Sequence, residues 1–355
     1  MRGASRALTS VAASYSARPH RYPRVLKLFE VGPRDGLQGE SRPVPTAKKI
    51  ELIQRLISAG SAWIEATSFV SAKSIPQLGD AAAVLAGVGA PPPGVTLSAL
   101  VPNLRGFEDA LASGLSEVAV FAAASDAFSQ RNINCNVQTS LKRFEPVFAA
   151  AAAANVRVRA YVSCAFGCPF SGAVDPAKAA FVANALYNLG AYEVSLGDTI
   201  GVGTPVSMRA LLHACREADV PTEVLAVHCH ATYGLALANI AAALEEGVAV
   251  VDASVGGLGG CPYARGATGN VATEDVLYLA AALGIDVEGA PDLDALVDTG
   301  AWICAELGKA NRSSVAVARL SHAVSLKAAA PQDDALRAAC HIGLGWPIQP
   351  DRELL

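Results

Sequence analysis

The sequence predicts an α/β fold, a (β/α)8 barrel of TIM type followed by a C-terminal helical extension, on three observations. First, eight short β-branched or apolar runs alternate with longer Ala/Leu-rich segments, at 25–31, 63–69, 95–101, 117–122, 156–163, 192–196, 225–229 and 249–254. Parallel strands need crossover helices, so eight such units in succession point to a closed barrel. Second, the first run ends in Gly32-Pro33-Arg34-Asp35-Gly36. A doubly wound open sheet, the competing architecture, calls for Gly-x-Gly-x-x-Gly at that place. Third, polar residues recur at the ends of the runs, and in a barrel every such end faces the same rim.

The intervening segments carry helix punctuation. The segment 46–59 opens on Thr46, read as its cap, and closes at Gly60, while 176–189 ends at Gly190. Segments 107–112, before Gly114, and 240–246, before Gly247, complete four helix units of this kind. With 355 residues, 52% of them hydrophobic and 17% charged, the chain can bury one large core. We divide it into a probable presequence or tail at 1–24, a barrel domain at 25–290 and a helical extension at 291–355.

Composition excludes several classes of function. A net charge of −4 gives no case for a nucleic-acid partner. No run approaches the roughly 18 uninterrupted apolar residues of a membrane span, so no membrane partner is expected and the chain reads as soluble. Eight cysteines are scattered, several of them in strand-like runs, which suits a reduced compartment better than a disulfide framework. Residues 1–24 hold Arg2, Arg6, Arg18, Arg21 and Arg24 among Ser and Ala, with no acidic residue. That is the composition of a mitochondrial or plastid presequence, so the mitochondrial matrix is the expected location, with the cytoplasm as the alternative if the segment is a plain tail.

The rim residues form a set. The first run ends in Arg34-Asp35, where Gly32-Pro33 stops the strand and Gly36 permits a tight loop. The second carries Glu65 with Thr67, the sixth ends in Ser195-Leu196-Gly197-Asp198-Thr199, and the seventh reads Val227-His228-Cys229-His230. Taken alone, Arg34-Asp35 is a salt bridge capping a turn. Two histidines two residues apart on a strand share a face, which in a barrel is the inner one, and the carboxylates and arginine at the same rim favour a metal over a pair of core imidazoles. After the eighth run a glycine-rich loop, 256–270, carries one thiol, Cys261, and ends at Asn270. Such a loop can be a phosphate cradle, but a thiol on it can be delivered to a bound substrate and withdrawn.

These motifs resemble the 3-hydroxy-3-methylglutaryl-CoA lyase family, within the superfamily of metal-dependent lyase and Claisen-condensing barrels. The resemblance rests on Glu30-Val-Gly-Pro-Arg-Asp-Gly-Leu-Gln38, Thr67-Ser-Phe-Val-Ser71, Ser195-Leu-Gly-Asp-Thr-Ile-Gly-Val-Gly203, His228-Cys-His230 and the 256–270 loop, and it covers roughly 25–314. It implies cleavage of 3-hydroxy-3-methylglutaryl-CoA to acetoacetate and acetyl-CoA, as in ketone-body formation and leucine degradation. Asp35, His228, His230 and Asn270 are then expected to hold one divalent cation, Mg2+ or Mn2+. Arg34 is expected to stabilise enolate charge, Asp35 or a neighbouring histidine such as His228 to accept the hydroxyl proton, and Cys261 to return a proton to carbon. Glu65 would orient Arg34 or a metal-bound water, and Gln38, Asp198 and Thr199 would bind substrate. The partner implied is an acyl-CoA, and the expected assembly is a homodimer. Arg42 and Arg105 are either contacts for the coenzyme A phosphates or solvated surface arginines.

The chain departs from the family pattern after the histidines. Ala231 and Leu235 stand where the pattern has Asp and Gln, so a carboxylate available to orient a metal histidine is absent. The alternatives are a condensing enzyme that joins acetyl-CoA to a 2-keto acid on the same scaffold, and a non-catalytic relative that lost turnover through those two positions.

Overall fold

The computed structural model describes residues 22–260 and 269–329, with side chains through Ser321. The barrel strands are β1 (Val25–Glu30), β2 (Trp63–Ser68), β3 (Thr96–Leu100), β4 (Glu117–Ala123), β5 (Arg157–Ser163), β6 (Glu193–Asp198), β7 (Leu225–Cys229) and β8 (Val250–Ala253). Each pairs in parallel with the next, and β8 closes on β1 through Lys27↔Val250 to Glu30↔Ala253. All eight expected runs are strands, and their ends move by at most two residues. The two-residue strand Asp286–Val287 pairs with the N-terminal end of β1, at Val25 and Leu26.

Helices cover the outside: α1 (Thr46–Ser58), α2 (Ala81–Val88), α3 (Leu104–Ala112), α4 (Asp126–Ile133), α5 (Val137–Ala153), α6 (Pro176–Leu189), α7 (Pro205–Glu217), α8 (Ala236–Glu245) and α9 (Thr273–Ala282). Two more, α10 (Leu293–Leu307) and α11 (Ser314–Ala329), follow the barrel. The main core lies between barrel and helices, where Leu52, Ile53, Leu56, Phe107, Leu186, Leu211 and Ile240 are buried against the outward faces of the strands.

Three local readings change. Thr46 is not a cap. Pro45 flanks α1, whose first turn has no side-chain cap, and the Thr46 hydroxyl instead donates to Asp80 at 2.7 Å. Helix α3 begins at Leu104, three residues before the apolar stripe suggests, because Asn103 caps it by accepting from Gly106 N–H. Helix α8 likewise starts early, at Ala236.

Candidate active site

The turn that carries Arg34 and Asp35 is tighter in purpose than a loop. Gly32–Gly36 is one turn of π-helix, in which the N–H groups of Asp35 and Gly36 both donate to Val31 C=O, at 2.8 and 3.1 Å. Single π-turns re-aim side chains at functional sites. Glycine at 36 is required by crowding rather than by φ, since a Cβ there would stand 2.8 Å from Ser254 Oγ and 3.0 Å from Leu258 Cβ. The turn therefore packs directly on the chain leaving β8.

From this turn Arg34 reaches back over the barrel mouth. Its Nε donates to Glu65 Oε2 at 2.5 Å and its Nη1 to Asp35 Oδ1 at 2.6 Å. Tyr161 donates its hydroxyl to the same Glu65 oxygen at 3.0 Å, and its ring faces the guanidinium 5.3 Å away. Burial works against the charge on Arg34, but Glu65 and Asp35 reverse that effect and hold its pKa well above the ordinary value. Burial pushes Glu65 up, and the arginine opposes it only in part. Asp35 resists burial through Arg34, His228 and His230, which together keep its carboxyl well below the usual range.

Asp35, His228 and His230 offer one donor atom each within 4.8 Å of one another, the only such group of three among the described residues. The two Nε2 atoms are 3.3 Å apart, and His228 Nε2 lies 3.9 Å from Asp35 Oδ2. Donors about 2.1 Å from one hard cation stand about 3 Å apart when adjacent, so this spacing fits a divalent ion of the Mg2+ or Mn2+ kind. Charge agrees with spacing. Burial and the neighbouring His228 lower His230 to about 4, so two protons are not held here, whereas a carboxylate with imidazole lone pairs receives a cation. The set is a site of divalent-metal type. Asn270 is beside it, its backbone bridged to His230 and its side-chain amide donating to Asp35 Oδ2 at 2.8 Å and to Leu258 C=O at 3.0 Å.

His228 has a support that the sequence did not reveal. Asp252, its register partner on β8, places Oδ2 3.1 Å from His228 Nδ1. Burial lowers the His228 pKa, and Asp252 overturns this to raise it, while Asp252 itself is held down at about 2, chiefly by Arg159 against its own burial. A carboxylate on the far ring nitrogen fixes tautomer and orientation and leaves Nε2 for a ligand. The absence of a carboxylate at Ala231 thus does not leave His228 unsupported. Alternation along β5 and β8 would have flagged Tyr161, Arg159 and Asp252 as inward polar residues, had those strands been read by face.

The triad opens into a cavity of about 930 Å3 whose lining includes Arg34, Asp35, Gln38, Thr199, His228 and His230. Asp198 does not join it. Its carboxylate is taken by the N–H groups of Val202 (2.9 Å) and Gly203 (2.8 Å), so it secures the turn after β6, and burial raises it to about 6 against those bonds. Thr199 reaches the wall, with its hydroxyl also accepting from Cys164 N–H at 2.7 Å. Arg42 and Arg105 are exposed and outside the lining, whereas Arg143 is part of it. Gly260 lines the cavity. Cys261 lies outside the described residues, as do 1–21 and 330–355.

A parallel eight-stranded barrel with an Asp-His-His site of divalent-metal type and a buried arginine at its C-terminal rim defines the class of metal-dependent barrel enzymes. The family is narrower. Residues 25–303 match the HMGL-like family model, and the chain belongs to that family. It is 58% identical over 301 residues to the 3-hydroxy-3-isohexenylglutaryl-CoA/hydroxy-methylglutaryl-CoA lyase of Pseudomonas aeruginosa, covering 85% of this chain and 99% of that one. It is 53% identical over 297 residues to the mitochondrial hydroxymethylglutaryl-CoA lyase of Bos taurus, covering 84% and 90% respectively. The crystal structure of hydroxymethylglutaryl-CoA lyase from Pseudomonas aeruginosa superposes with a TM-score of 0.82 at 58% identity, over 85% of this chain and 99% of that one.

Proposed function

We infer that this protein is a carbon–carbon lyase that cleaves 3-hydroxy-3-methylglutaryl-CoA to acetoacetate and acetyl-CoA. The observation that carries this reading is Arg34 held between Glu65 and Asp35, one residue from a ligand of the metal-type triad and on the same cavity wall. In a retro-Claisen cleavage the C3 hydroxyl loses its proton, the C2–C3 bond breaks, and its electron pair passes through C2 to the thioester oxygen. C3 becomes the ketone of acetoacetate, and C2 must take a proton to give acetyl-CoA. A divalent cation held by Asp35, His228, His230 and the Asn270 carbonyl oxygen would supply Lewis acidity toward the hydroxyl. The mixed oxygen and nitrogen donors suit Mg2+ or Mn2+ better than a closed zinc site.

The remaining work belongs to the side chains. Arg34, already oriented through Nε and Nη1, meets enolate charge without reorganising, which makes it worth most in the transition state. The hydroxyl proton goes to Asp35, whose Oδ2 faces His228 Nε2 at 3.9 Å. Gln38 and Thr199 on the wall bind substrate. Cys261 returns a proton to C2, a role supported by its place directly after the wall residue Gly260. A coupled assay for acetoacetate, with and without chelator, tests the reading. Acetoacetate formed only with free divalent metal supports it, while coenzyme A released from acetyl-CoA plus 2-ketoisovalerate in its place establishes the condensing alternative.

A wider acyl range has its own support. Leu100, Phe121, Phe128 and Ile133 give the cavity an apolar flank, and the Pseudomonas relative is named for a 3-isohexenyl substrate as well. Turnover of 3-hydroxy-3-isohexenylglutaryl-CoA at a kcat/KM within about tenfold of the methyl substrate supports dual use, since a pocket that rejects the longer chain by overlap loses more than that.

Three further readings complete the proposal. Residues 25–290 form the catalytic barrel domain and 291–355 the extension, tested by limited proteolysis. The arginine-rich 1–24 segment addresses the chain to the mitochondrial matrix, supported by mitochondrial relatives and tested by import of a fusion carrying it. The assembly is a homodimer, tested by light scattering.

A further inference from the structure

The interior of this barrel is not filled as barrels usually are. Branched apolar side chains normally stack there in layers. Here a column of charges runs up the axis. Lys27 donates to Glu193 Oε2 at 2.8 Å, Arg159 donates through Nε to Glu193 Oε1 at 2.5 Å, and Arg159 grips Asp252 with Nη2 on Oδ1 at 2.5 Å and Nη1 on Oδ2 at 3.3 Å. Ser195 donates to Asp252 Oδ2 at 2.7 Å, and that same oxygen faces His228 Nδ1. The Arg159 guanidinium lies over the rings of Phe29 and Tyr161, 4.2 and 4.7 Å from their centroids. Arg159 is fully buried, as are Asp252 and Ser195.

Buried ion pairs of this kind are seldom worth more than the apolar residues that could replace them, so stability alone does not account for the column. Its upper end does. Asp252 has two oxygens, and a carboxylate left free to turn about its last bond would offer His228 a poorly aimed acceptor. Two donors of one planar fork, one on each oxygen, remove that freedom, and the aromatic rings on the guanidinium faces remove the fork's own. A lysine offers a point charge and no fork.

We propose that Arg159, which does not line the cavity, is a positioning residue for the metal site: it locks the plane of Asp252 so that this carboxylate accepts a hydrogen bond from His228 Nδ1–H and leaves Nε2 to the cation. The proposal rests on the reading of Asp35, His228 and His230 as metal ligands. The charge on Arg159 is then secondary to its shape. Removing the fork while retaining the charge loosens the ligand without removing it.

Full-length wild-type and Arg159→Lys proteins are titrated with Mn2+, free ion being read by its electron paramagnetic resonance signal, and turnover is measured across Mn2+ concentrations. Arg159→Gln is carried in parallel, and whichever variant remains folded by circular dichroism decides the question. The expected result is Mn2+ binding weakened by about 10–100-fold, a lowered rate at limiting Mn2+ that recovers at saturating Mn2+, and an unchanged KM for the acyl-CoA. Recovery by excess metal is what a merely structural arginine would not give. A variant that binds Mn2+ within about twofold of wild type, or whose lost activity excess Mn2+ does not restore, overturns the proposal alone. Wild-type protein that binds no Mn2+ overturns the metal-site reading and the proposal with it.

Discussion

Arg34 Nε and Glu65 Oε2 are 2.5 Å apart, on the turn after the first barrel strand and on the second strand, with Glu65 fully buried. This contact sets the direction of the guanidinium before any substrate arrives. Because Tyr161 donates to the same oxygen, the arginine cannot leave Glu65 without breaking a buried three-membered network. Orientation in advance is what makes a donor useful for charge that exists only briefly.

Arg34→Gln therefore removes transition-state stabilisation and leaves the ligands in place. We expect kcat to fall by on the order of 10³ or more, with Mn2+ affinity nearly unchanged. Steady-state kinetics beside a metal titration checks this. A change confined to KM would make Arg34 an anchor for the ground state.

Metal removal should cost stability as well as activity, because the ligands come from the first, seventh and eighth units of the barrel. Mn2+ at 100 times its dissociation constant contributes about 2.7 kcal/mol if it binds only the folded chain. Differential scanning fluorimetry with chelator and with graded Mn2+ reads the rise in Tm. A Tm indifferent to Mn2+ argues against a site joining those units.

Ala231→Asp restores the family's carboxylate, yet His228 already has Asp252 on its Nδ1. The Ala231 N–H is engaged with Gly269 C=O at 2.8 Å, on the strand end that leads to Asn270. We expect the substitution to change Mn2+ affinity by less than about threefold, short of the tenfold that loss of an orienting partner brings. A tenfold gain in the titration would mean that Asp252 does not suffice.

Two buried carboxylates behind the rim set a pH dependence. Glu274 accepts from Gly256 N–H through both oxygens at 3.0 Å, and Glu30 accepts from Gly32, Val255 and Thr273. Burial raises Glu274 to about 8 and Glu30 to about 7, the hydrogen bonds opposing it. A carboxyl raised on folding gives its full stability below the unfolded value and loses it as pH rises through the folded one. Glu274→Gln should thus raise Tm by about 2–4 °C or more above pH 8, corresponding to about 1 kcal/mol or more, and the gain should vanish toward pH 4.5. Thermal melts of both proteins across pH 5 to 9 check the trend, and a gain that grows toward acid would refute it.

What the sequence determined by itself is what local pattern encodes. Strand runs of five to eight residues, the first stopped by Gly32, alternating with helical segments closed by Gly60, Gly114, Gly190 and Gly247, specify eight βα units, and handed crossovers leave few ways to close them. Asp35 and the His228/His230 pair were legible because they end their runs, and every run ends at one rim. The tertiary structure alone decided who faces whom inside. Arg159, Asp252 and Tyr161 read as ordinary alternation along their own strands. They become a support for His228 and Arg34 only when strand register sets Asp252 against His228 and Tyr161 against Ser195, and when closure brings β2 and β5 across the same mouth. Asp198 shows the converse. It stands at a strand end like the others, but the turn after β6 folds its own N–H groups onto the carboxylate before the cavity can claim it. Local sequence fixes which side chains alternate to the inner face, whereas their partners come from strands as far as 166 residues away, and only the packed register supplies that pairing.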